Sequence, residues 1–354
     1  MSKKPALKNR IIVAMSGGVD SSVAAALLKR AGFDVVGIHM KFWSESEKTG
    51  NKCCTMESEK RARLVAKKIG IPFYVLNMEK EFKKAVVDYF LKENRLGNTP
   101  NPCVVCNKEI KFGLLLKKTM GLGAGHIATG HYAKIKKGKD GFKLFMGGDK
   151  AKDQSYFLWK LDQKTLSRVI FPLAYYTKSQ VLELAKEFGL PFKNVEESME
   201  ICFVGDTVEN FLKKYLKTKP GNIVDKSGKV LGKHEGLYNY TIGQRKGIGF
   251  SGGPFYVLEK DVRKNNLIVT KDEKDLLKEE LSTKGINWIS GQEPKFPIKV
   301  LAKIRYRTAG AQATIKKEKG KMKVIFSKPQ RAITPGQSVV FYKGQELLGG
   351  AIII

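Results

Sequence analysis

Apolar positions in the first half of the chain alternate between two rhythms. Ile11 to Met15 is a short apolar run that ends in Ser16-Gly17-Gly18-Val19-Asp20-Ser21-Ser22. Behind it Val23, Ala24, Leu27 and Leu28 fall on one helical face. Strand, loop and helix are therefore predicted in that order. The alternation continues with a strand over Val35–Met40, an amphipathic helix near Glu57–Ile69, a strand over Phe73–Asn77 and a helix over Lys83–Leu91. A turn segment Asn98–Pro102, a strand candidate at Ile127–Thr129 and a helix around Lys178–Phe188, closed by Gly189 and Pro191, complete it. Strands alternating with helices predict an α/β domain, a parallel sheet covered by helices that binds ligands beyond the carboxyl ends of its strands.

After about residue 210 the texture changes. Turn signals become dense at Lys219-Pro220-Gly221, Lys226-Ser227-Gly228 and Tyr240 through Gly253, which predicts a small, loop-rich domain. From about Trp288 short alternating strands with Gly and Pro turns run to the terminus, and predict a small β-barrel or sandwich. The expected division is 1–210, 211–281 and 282–354. No 20–50-residue repeat and no low-complexity tract is present.

The 354 residues suffice for two or three domains. No apolar run reaches the roughly 18 residues of a membrane span, and no signal-type stretch follows the basic start, so the cytoplasm is the expected location. There are 65 Lys+Arg against 34 Asp+Glu, a net charge of +31. Such a field favours a polyanionic partner through phosphate contacts and counterion release, although a lysine-rich proteome gives the same total. One stretch is more telling. From Lys299 to Arg331 there are eleven Lys/Arg and one acid, Glu318, on a strand-like alternation.

Five cysteines (Cys53, Cys54, Cys103, Cys106, Cys202) in a long chain without a signal peptide argue against a structural disulfide framework. They are expected to be buried thiols, metal ligands or reactive sulfurs. In Asn101-Pro102-Cys103-Val104-Val105-Cys106, Asn101 is a helix-cap candidate and Pro102 a first-turn residue. Cys103 and Cys106 would then share a helical face, with nearby thiolate favoured by the helix N-terminus. Structural zinc, a redox pair and sulfur chemistry all remain open. Zinc normally takes four protein ligands; Cys202 supplies a third and a fourth is not evident, although Cys53-Cys54 could contribute.

Ser16–Ser22 lies between a predicted strand and helix. Its glycines allow a tight turn and close backbone approach, the helix N-terminus offers N–H groups to an anion, and Ser16, Ser21 and Ser22 add hydroxyls. The Gly-Lys-Ser/Thr ending of the Walker loop is absent. This strand–SGGVDS–helix arrangement resembles the ATP pyrophosphatase (PP-loop) family, whose fold is of the adenine nucleotide alpha-hydrolase type. Members bind ATP, release pyrophosphate and transfer AMP to a substrate oxygen. The resemblance implies ATP contacts from Ala14, Met15, Ser16, Gly17, Gly18, Val19, Asp20, Ser21 and Ser22. It also implies Mg²⁺ linked to Asp20, adenine against Met40, and Gly130 bordering the nucleotide.

Over nearly the whole chain the segments AMSGGVDSS, NTPNPCVVCNKEIKF, ATGHYAK, KDQSYFL, EICFVGD, GLYNYTIGQRKGIG, RYR and ITPGQSVVFY occur in this order. Together they resemble the bacterial tRNA-specific 2-thiouridylases. That likeness implies a PP-loop domain, a small central domain and a C-terminal β-barrel, acting on the wobble uridine of tRNAs with Lys, Glu and Gln acceptors. It implies Cys106 as the nucleophile-position cysteine and Cys202 as the persulfide carrier, loaded by a cysteine desulfurase or its relay. Cys106 would free sulfide from that persulfide or resolve the linkage as a disulfide with Cys202. Asn101, Pro102 and Cys103 would line the target base; His131, Lys152, Asp153, Gln154, Arg305, Tyr306 and Gln337 would contact tRNA. From the residues by themselves, His131 reads as a hydrogen-bonded core histidine, Lys152–Gln154 as a solvated turn, and Arg305 and Tyr306 as strand surface. Cys103 stands where many members carry Asp. A thiol is the better ligand for a soft metal, which opens an alternative in which Cys103, Cys106 and Cys202 hold a [4Fe–4S] cluster.

Overall fold

The computed structural model describes residues 9–45, 55–121, 123–192, 201–249, 253–318 and 321–354. Cys53, Cys54 and Glu200 lie outside the described residues.

Strands β1 (Arg10–Ala14), β2 (Asp34–Lys41), β3 (Phe73–Asn77), β4 (His126–Ala128) and β7 (Val169–Ile170) form a parallel sheet in the order β3-β2-β1-β4-β7. Its central strands are apolar on both faces, as helix-covered parallel strands must be. Alternation decides which side chain meets which layer. Ile11, Val13 and Met15 pack with Val23, Ala24 and Leu28 of helix α1 (Val19–Arg30), whereas Ile12, Ala14, Val36, Ile38 and Met40 join the opposite cluster.

Helix α2 (Met56–Ile69) is capped by the Thr55 hydroxyl, which accepts from the Ser58 amide, and is ended by Gly70 at φ 66°. Helical turns then run over 79–95 (α3), widening to a π-helical stretch at Lys83–Val87, and over 102–120 (α4), with a second such stretch at Cys106–Leu114. Helix α5 (Lys178–Glu187) begins in a capping box between Thr177 and Gln180. Helix α6 (Val208–Tyr215) follows the Cys202 segment.

The central region has four strands, β8 (Gly221–Val224), β9 (Val230–His234), β10 (Tyr256–Asp261) and β11 (Asn266–Thr270), in the order β10-β11-β8-β9 around their own small core. The last region closes on itself. Strands β12 (Leu277–Trp288), β15 (Lys321–Arg331), β14 (Ala311–Glu318), β13 (Ile298–Lys303), β16 (Ser338–Lys343) and β17 (Glu346–Ile353) follow one another, and β12 pairs back onto β17. Of the barrel or sandwich expected from the alternating pattern this is the barrel, as the family resemblance implied, and closure removes its edges. The hairpin β5 (Ala133–Gly138) and β6 (Gly141–Met146), which the sequence reading did not foresee, extends that sheet from the parallel-sheet region through β6–β17 pairing. Among the described residues no helix is long and apolar enough to cross a membrane.

The basic stretch 299–331 is less naked than its sequence suggests. Lys317 pairs with Glu293 at 2.8 Å, Lys323 with Glu280 at 3.1 Å and Arg331 with Glu273 at 2.6 Å. All three acids lie outside the stretch, which a local count cannot see.

Candidate active site

Sheet order places a switch point at the carboxyl ends of β1 and β4, since β2 lies on one side of β1 and β4 on the other. Ligands of open α/β sheets bind in such crevices. The Ser16–Ser22 loop leaves β1 there, and its glycines have distinct tasks. Gly17 has φ 80°, and a Cβ on it would lie 2.1 Å from the Ser58 carbonyl oxygen, so this residue seats the loop against α2. Gly130 follows β4 and crosses the start of α1, where a Cβ would lie 2.7 Å from the Asp20 carbonyl carbon and the Ser21 nitrogen. At Gly18 a Cβ would meet only Ser16 Oγ, at 3.4 Å, so this position faces open space. Gly18 is also the N-cap of α1 and makes no side-chain cap. The result is an open backbone cradle at a helix N-terminus, suited to phosphate. Ser21 and Ser22 hydroxyls donate to the Gly18 carbonyl at 3.0 Å and tie the loop to the first turn. Arg61 Nε donates to the Gly17 carbonyl at 3.2 Å.

Asp20 is 32% exposed. Its Oδ1 accepts from the Tyr132 hydroxyl at 2.8 Å and from Lys178 Nζ at 2.7 Å. A single carboxylate beside a phosphate cradle suits Mg²⁺, which takes one or two carboxylates and completes its shell with phosphate and water. Tyr132 and Lys178 were not singled out in the sequence; both are remote from the loop in the chain and carry no local signature. Buried His39 was also missed. Its Nδ1 lies 2.9 Å from the Met15 carbonyl oxygen, and burial holds its pKa below the usual value despite that bond. Its signal was a polar residue inside an apolar strand, next to Met40.

Pro102 opens α4 and Asn101 holds the N-cap position, but the Asn101 side chain makes no cap hydrogen bond, contrary to its expected capping role. Cys103 is exposed, while Cys106, one turn on, is buried, so the two thiols do not share one environment. Cys106 belongs to the apolar cluster that includes Ala14 and Met40, and Cys202 packs against that same cluster. Phe203, next to Cys202, is fixed by edge contacts with Phe82, Phe90 and Phe211. Among the described residues no three His, Cys, Asp or Glu side chains are grouped as a metal site. The three-thiolate set that a cluster on Cys103, Cys106 and Cys202 requires is thus not assembled.

The residues expected at tRNA fall into two groups. Several are inward-facing. His131 is buried between Phe112 and Phe171, with Nδ1 2.6 Å from the Thr129 hydroxyl, and burial drives its pKa well down, so the ring is neutral. Asp153 is buried and accepts from the Gly147 amide at 3.0 Å and the Ser155 amide at 3.1 Å, rather than lying in a solvated turn. Gln154 clasps the Tyr132 backbone, its amide donating to the carbonyl at 2.9 Å and its Oε1 accepting from the amide at 3.1 Å. Arg305 and Tyr306 lie just beyond β13 rather than on strand surface. Arg305 Nη2 donates to the Ile242 carbonyl at 3.2 Å, the Ala332 carbonyl at 3.0 Å and the Thr334 hydroxyl at 3.1 Å, joining the central region to the barrel. Tyr306 packs against Phe157, the two rings tilted by 45° with centroids 4.5 Å apart. The second group borders the Asn98–Pro102 turn or surface: Gln337 Nε2 donates to the Thr99 carbonyl at 2.8 Å, and Lys152 is half-buried beside Asp149.

Family models match along the whole chain. One described as the tRNA methyl transferase HUP domain covers residues 9–206, a tRNA methyl transferase PRC-barrel domain covers 209–271, and an aminomethyltransferase beta-barrel domain covers 278–353. The chain is 47% identical over 357 residues to the tRNA-specific 2-thiouridylase MnmA of Clostridium perfringens, with 98% of each chain covered. It is 47% identical over 356 residues to that of Clostridium botulinum, again with 98% of each covered. It belongs to the tRNA-specific 2-thiouridylase family. The named relatives are tRNA sulfurtransferases. Among solved structures, a 4-thiouridine synthetase–RNA complex with bound ATP aligns at TM-score 0.34 and 15% identity, over 58% of this chain and 49% of that one, a likeness too slight to add to the assignment.

Proposed function

We propose that this protein uses Mg–ATP to adenylate the C2 oxygen of the wobble uridine of tRNA and then replaces that oxygen with sulfur carried on Cys202. The observation that carries this reading is one continuous apolar cluster: it contains Ala14 and Met40 from the nucleotide side and Cys106 from the sulfur side, and Cys202 packs against it.

The target base must leave its stack before C2 is reachable, and an anticodon loop makes that inexpensive. Asn101, Pro102 and Cys103 at the opening of α4 receive it. The Ser16–Ser22 loop with Gly130 and Met40 holds ATP, and Asp20 serves Mg²⁺. The uridine oxygen attacks the α-phosphorus, pyrophosphate leaves, and C2 acquires AMP as a leaving group. Half-exposed Cys202 can accept sulfane sulfur from a cysteine desulfurase or a relay protein, and its terminal sulfur displaces AMP. Buried Cys106 then attacks Cys202 Sγ. A Cys106–Cys202 disulfide forms, two electrons pass to the transferred sulfur, and 2-thiouridine is released. Two cysteines suffice for this route. His131, Lys152, Asp153, Gln154, Arg305, Tyr306 and Gln337 act on tRNA partly by holding the contact surface in shape. Lys, Glu and Gln acceptor tRNAs are the substrates, and the cytoplasm is the site of action.

The test is mass spectrometry of tRNA incubated with protein, ATP, Mg²⁺ and a sulfane-sulfur source, a cysteine desulfurase with cysteine. A gain of one sulfur for one oxygen at the wobble uridine, lost in Asp20→Ala, is expected. Thiolation by Asp20→Ala at the wild-type rate would remove the phosphate loop from the reaction. The domain descriptions that mention methyl transfer make a separable forecast: a methyltransferase gives no tRNA-dependent ATP–pyrophosphate exchange.

A further inference from the structure

Lys178 is the first residue of α5, behind the Thr177 cap. Its backbone amide donates to Asp149 Oδ2 at 2.9 Å, which fixes where the side chain starts. The side chain then runs back toward the sheet and places its ammonium 2.7 Å from Asp20 Oδ1. Only 15% of that side chain is exposed, so this is not a solvated surface lysine. The pair is not needed to hold α5 against α1. Val181 and Ala185 of α5 already pack in the same apolar cluster as Val23, Ala24 and Leu28 of α1. Nor is it needed to orient Asp20, because the Tyr132 hydroxyl holds the same oxygen at 2.8 Å. What the lysine adds is a positive charge at the mouth of a loop built for phosphate.

We propose that Lys178 is a further substrate-contacting residue of the ATP site, and that it changes partner as nucleotide arrives. This rests on the reading of Ser16–Ser22 as a Mg–ATP loop. In the nucleotide-free protein the ammonium neutralises Asp20. With Mg–ATP bound, the carboxylate serves the cation, and Lys178 turns to the neighbouring phosphate oxygens. A lysine suits this exchange: it is a compact charge on a flexible stem with three rotatable donors, and needs no fixed bidentate geometry. Tyr132 stays on Asp20 throughout and sets which carboxylate oxygen faces the cation.

The exchange has a signature that simple damage lacks. Lys178 and Mg²⁺ compete for Asp20, yet Lys178 and Mg²⁺ both favour ATP. Removing the ammonium should therefore move the two ligand constants in opposite directions. In the full-length protein, Lys178→Ala should raise the Kd for Mg–ATP about tenfold, the loss of one charge-assisted contact. The Mg²⁺ concentration giving half-maximal ATP–pyrophosphate exchange at saturating ATP should fall. Lys178→Gln, which keeps length and hydrogen bonding in case the alanine variant misfolds, should likewise raise the Kd for Mg–ATP and lower the Mg²⁺ requirement. Lys178→Arg should recover most of the ATP affinity, and tRNA affinity should stay unchanged in all three. Unchanged ATP affinity in Lys178→Gln would make the lysine a helix tether and overturn the proposal. So would both constants rising together, or a fall in ATP affinity with no change in the Mg²⁺ requirement. Failure of the wild-type protein to bind Mg–ATP would instead sink the reading of the loop.

Discussion

Gly18→Ala separates the binding role of the phosphate loop from its structural role. Gly18 has φ −85° and ψ 160°, backbone that any L-residue adopts. An added methyl meets only Ser16 Oγ at 3.4 Å, an ordinary contact. Two small effects on folding oppose each other. Alanine is a poorer N-cap than glycine, while it narrows the unfolded ensemble by about 0.4–1 kcal/mol. The melting temperature should therefore barely move. The methyl nevertheless occupies the cradle through which phosphate must approach the α1 amides. Loss of one hydrogen bond to a charged group is worth about 1.5–3 kcal/mol, or roughly 10- to 100-fold in Kd. The contrasting variant is Gly130→Ala. Its methyl would lie 2.7 Å from backbone atoms of Asp20 and Ser21, which cannot rotate away. Overpacking of that kind costs about 1–3 kcal/mol, so stability and ATP affinity should fall together. Thermal melts beside Mg–ATP titrations of the two variants decide the matter. Wild-type nucleotide affinity in Gly18→Ala, or a larger loss of stability there than in Gly130→Ala, would refute the cradle.

Three further outcomes are expected. Cys106→Ser and Cys202→Ser should lose thiolation yet retain tRNA-dependent ATP–pyrophosphate exchange, and Cys103→Ala should retain thiolation in iron-free protein; activity that tracks iron content and disappears in Cys103→Ala would contradict the persulfide route. Arg305→Ala removes one guanidinium nitrogen shared by three acceptors and should destabilise the fold by about 2–4 kcal/mol, with Arg305→Lys recovering part; an unchanged melting temperature would show that the clamp contributes nothing. Burial lowers the pKa of His131, and likewise of His39, so the native state binds fewer protons than the unfolded chain once pH drops below about 6.5. Stability should be full above that pH and fall on acidification, and His131→Gln should reduce the slope of stability against pH by up to about 1.4 kcal/mol per unit; an identical slope would mean that His131 protonates in the folded protein.

Whatever depends on neighbours a few residues apart was legible in the sequence. The run Ile11–Met15, the glycine-bearing loop and the face Val23, Ala24, Leu27 and Leu28 specify strand, turn and helix, because side-chain period and backbone freedom are local properties. The observed β1, α1, α2, β3 and α5 accordingly fall close to where periodicity put them. Alternation also pointed to a barrel or a sandwich at the C-terminal end, and the β12–β17 pairing decides for the barrel. Tertiary structure decided the partners. Asp20 meets Tyr132 and Lys178, separated from it by 112 and 158 positions in the chain. Arg305 turns inward to three acceptors, Gln337 reaches Thr99, and Glu273, Glu280 and Glu293 neutralise lysines and an arginine that seemed bare in the linear order. The burial of Cys106 but not of Cys103 follows the same logic, since only the packing of α4 against the sheet distinguishes two thiols one turn apart. Hydrophobic period records which face of an element avoids water. It carries no record of which distant donor, acceptor or charge meets that element once the layers close, and here those distant groups set the chemistry of the site.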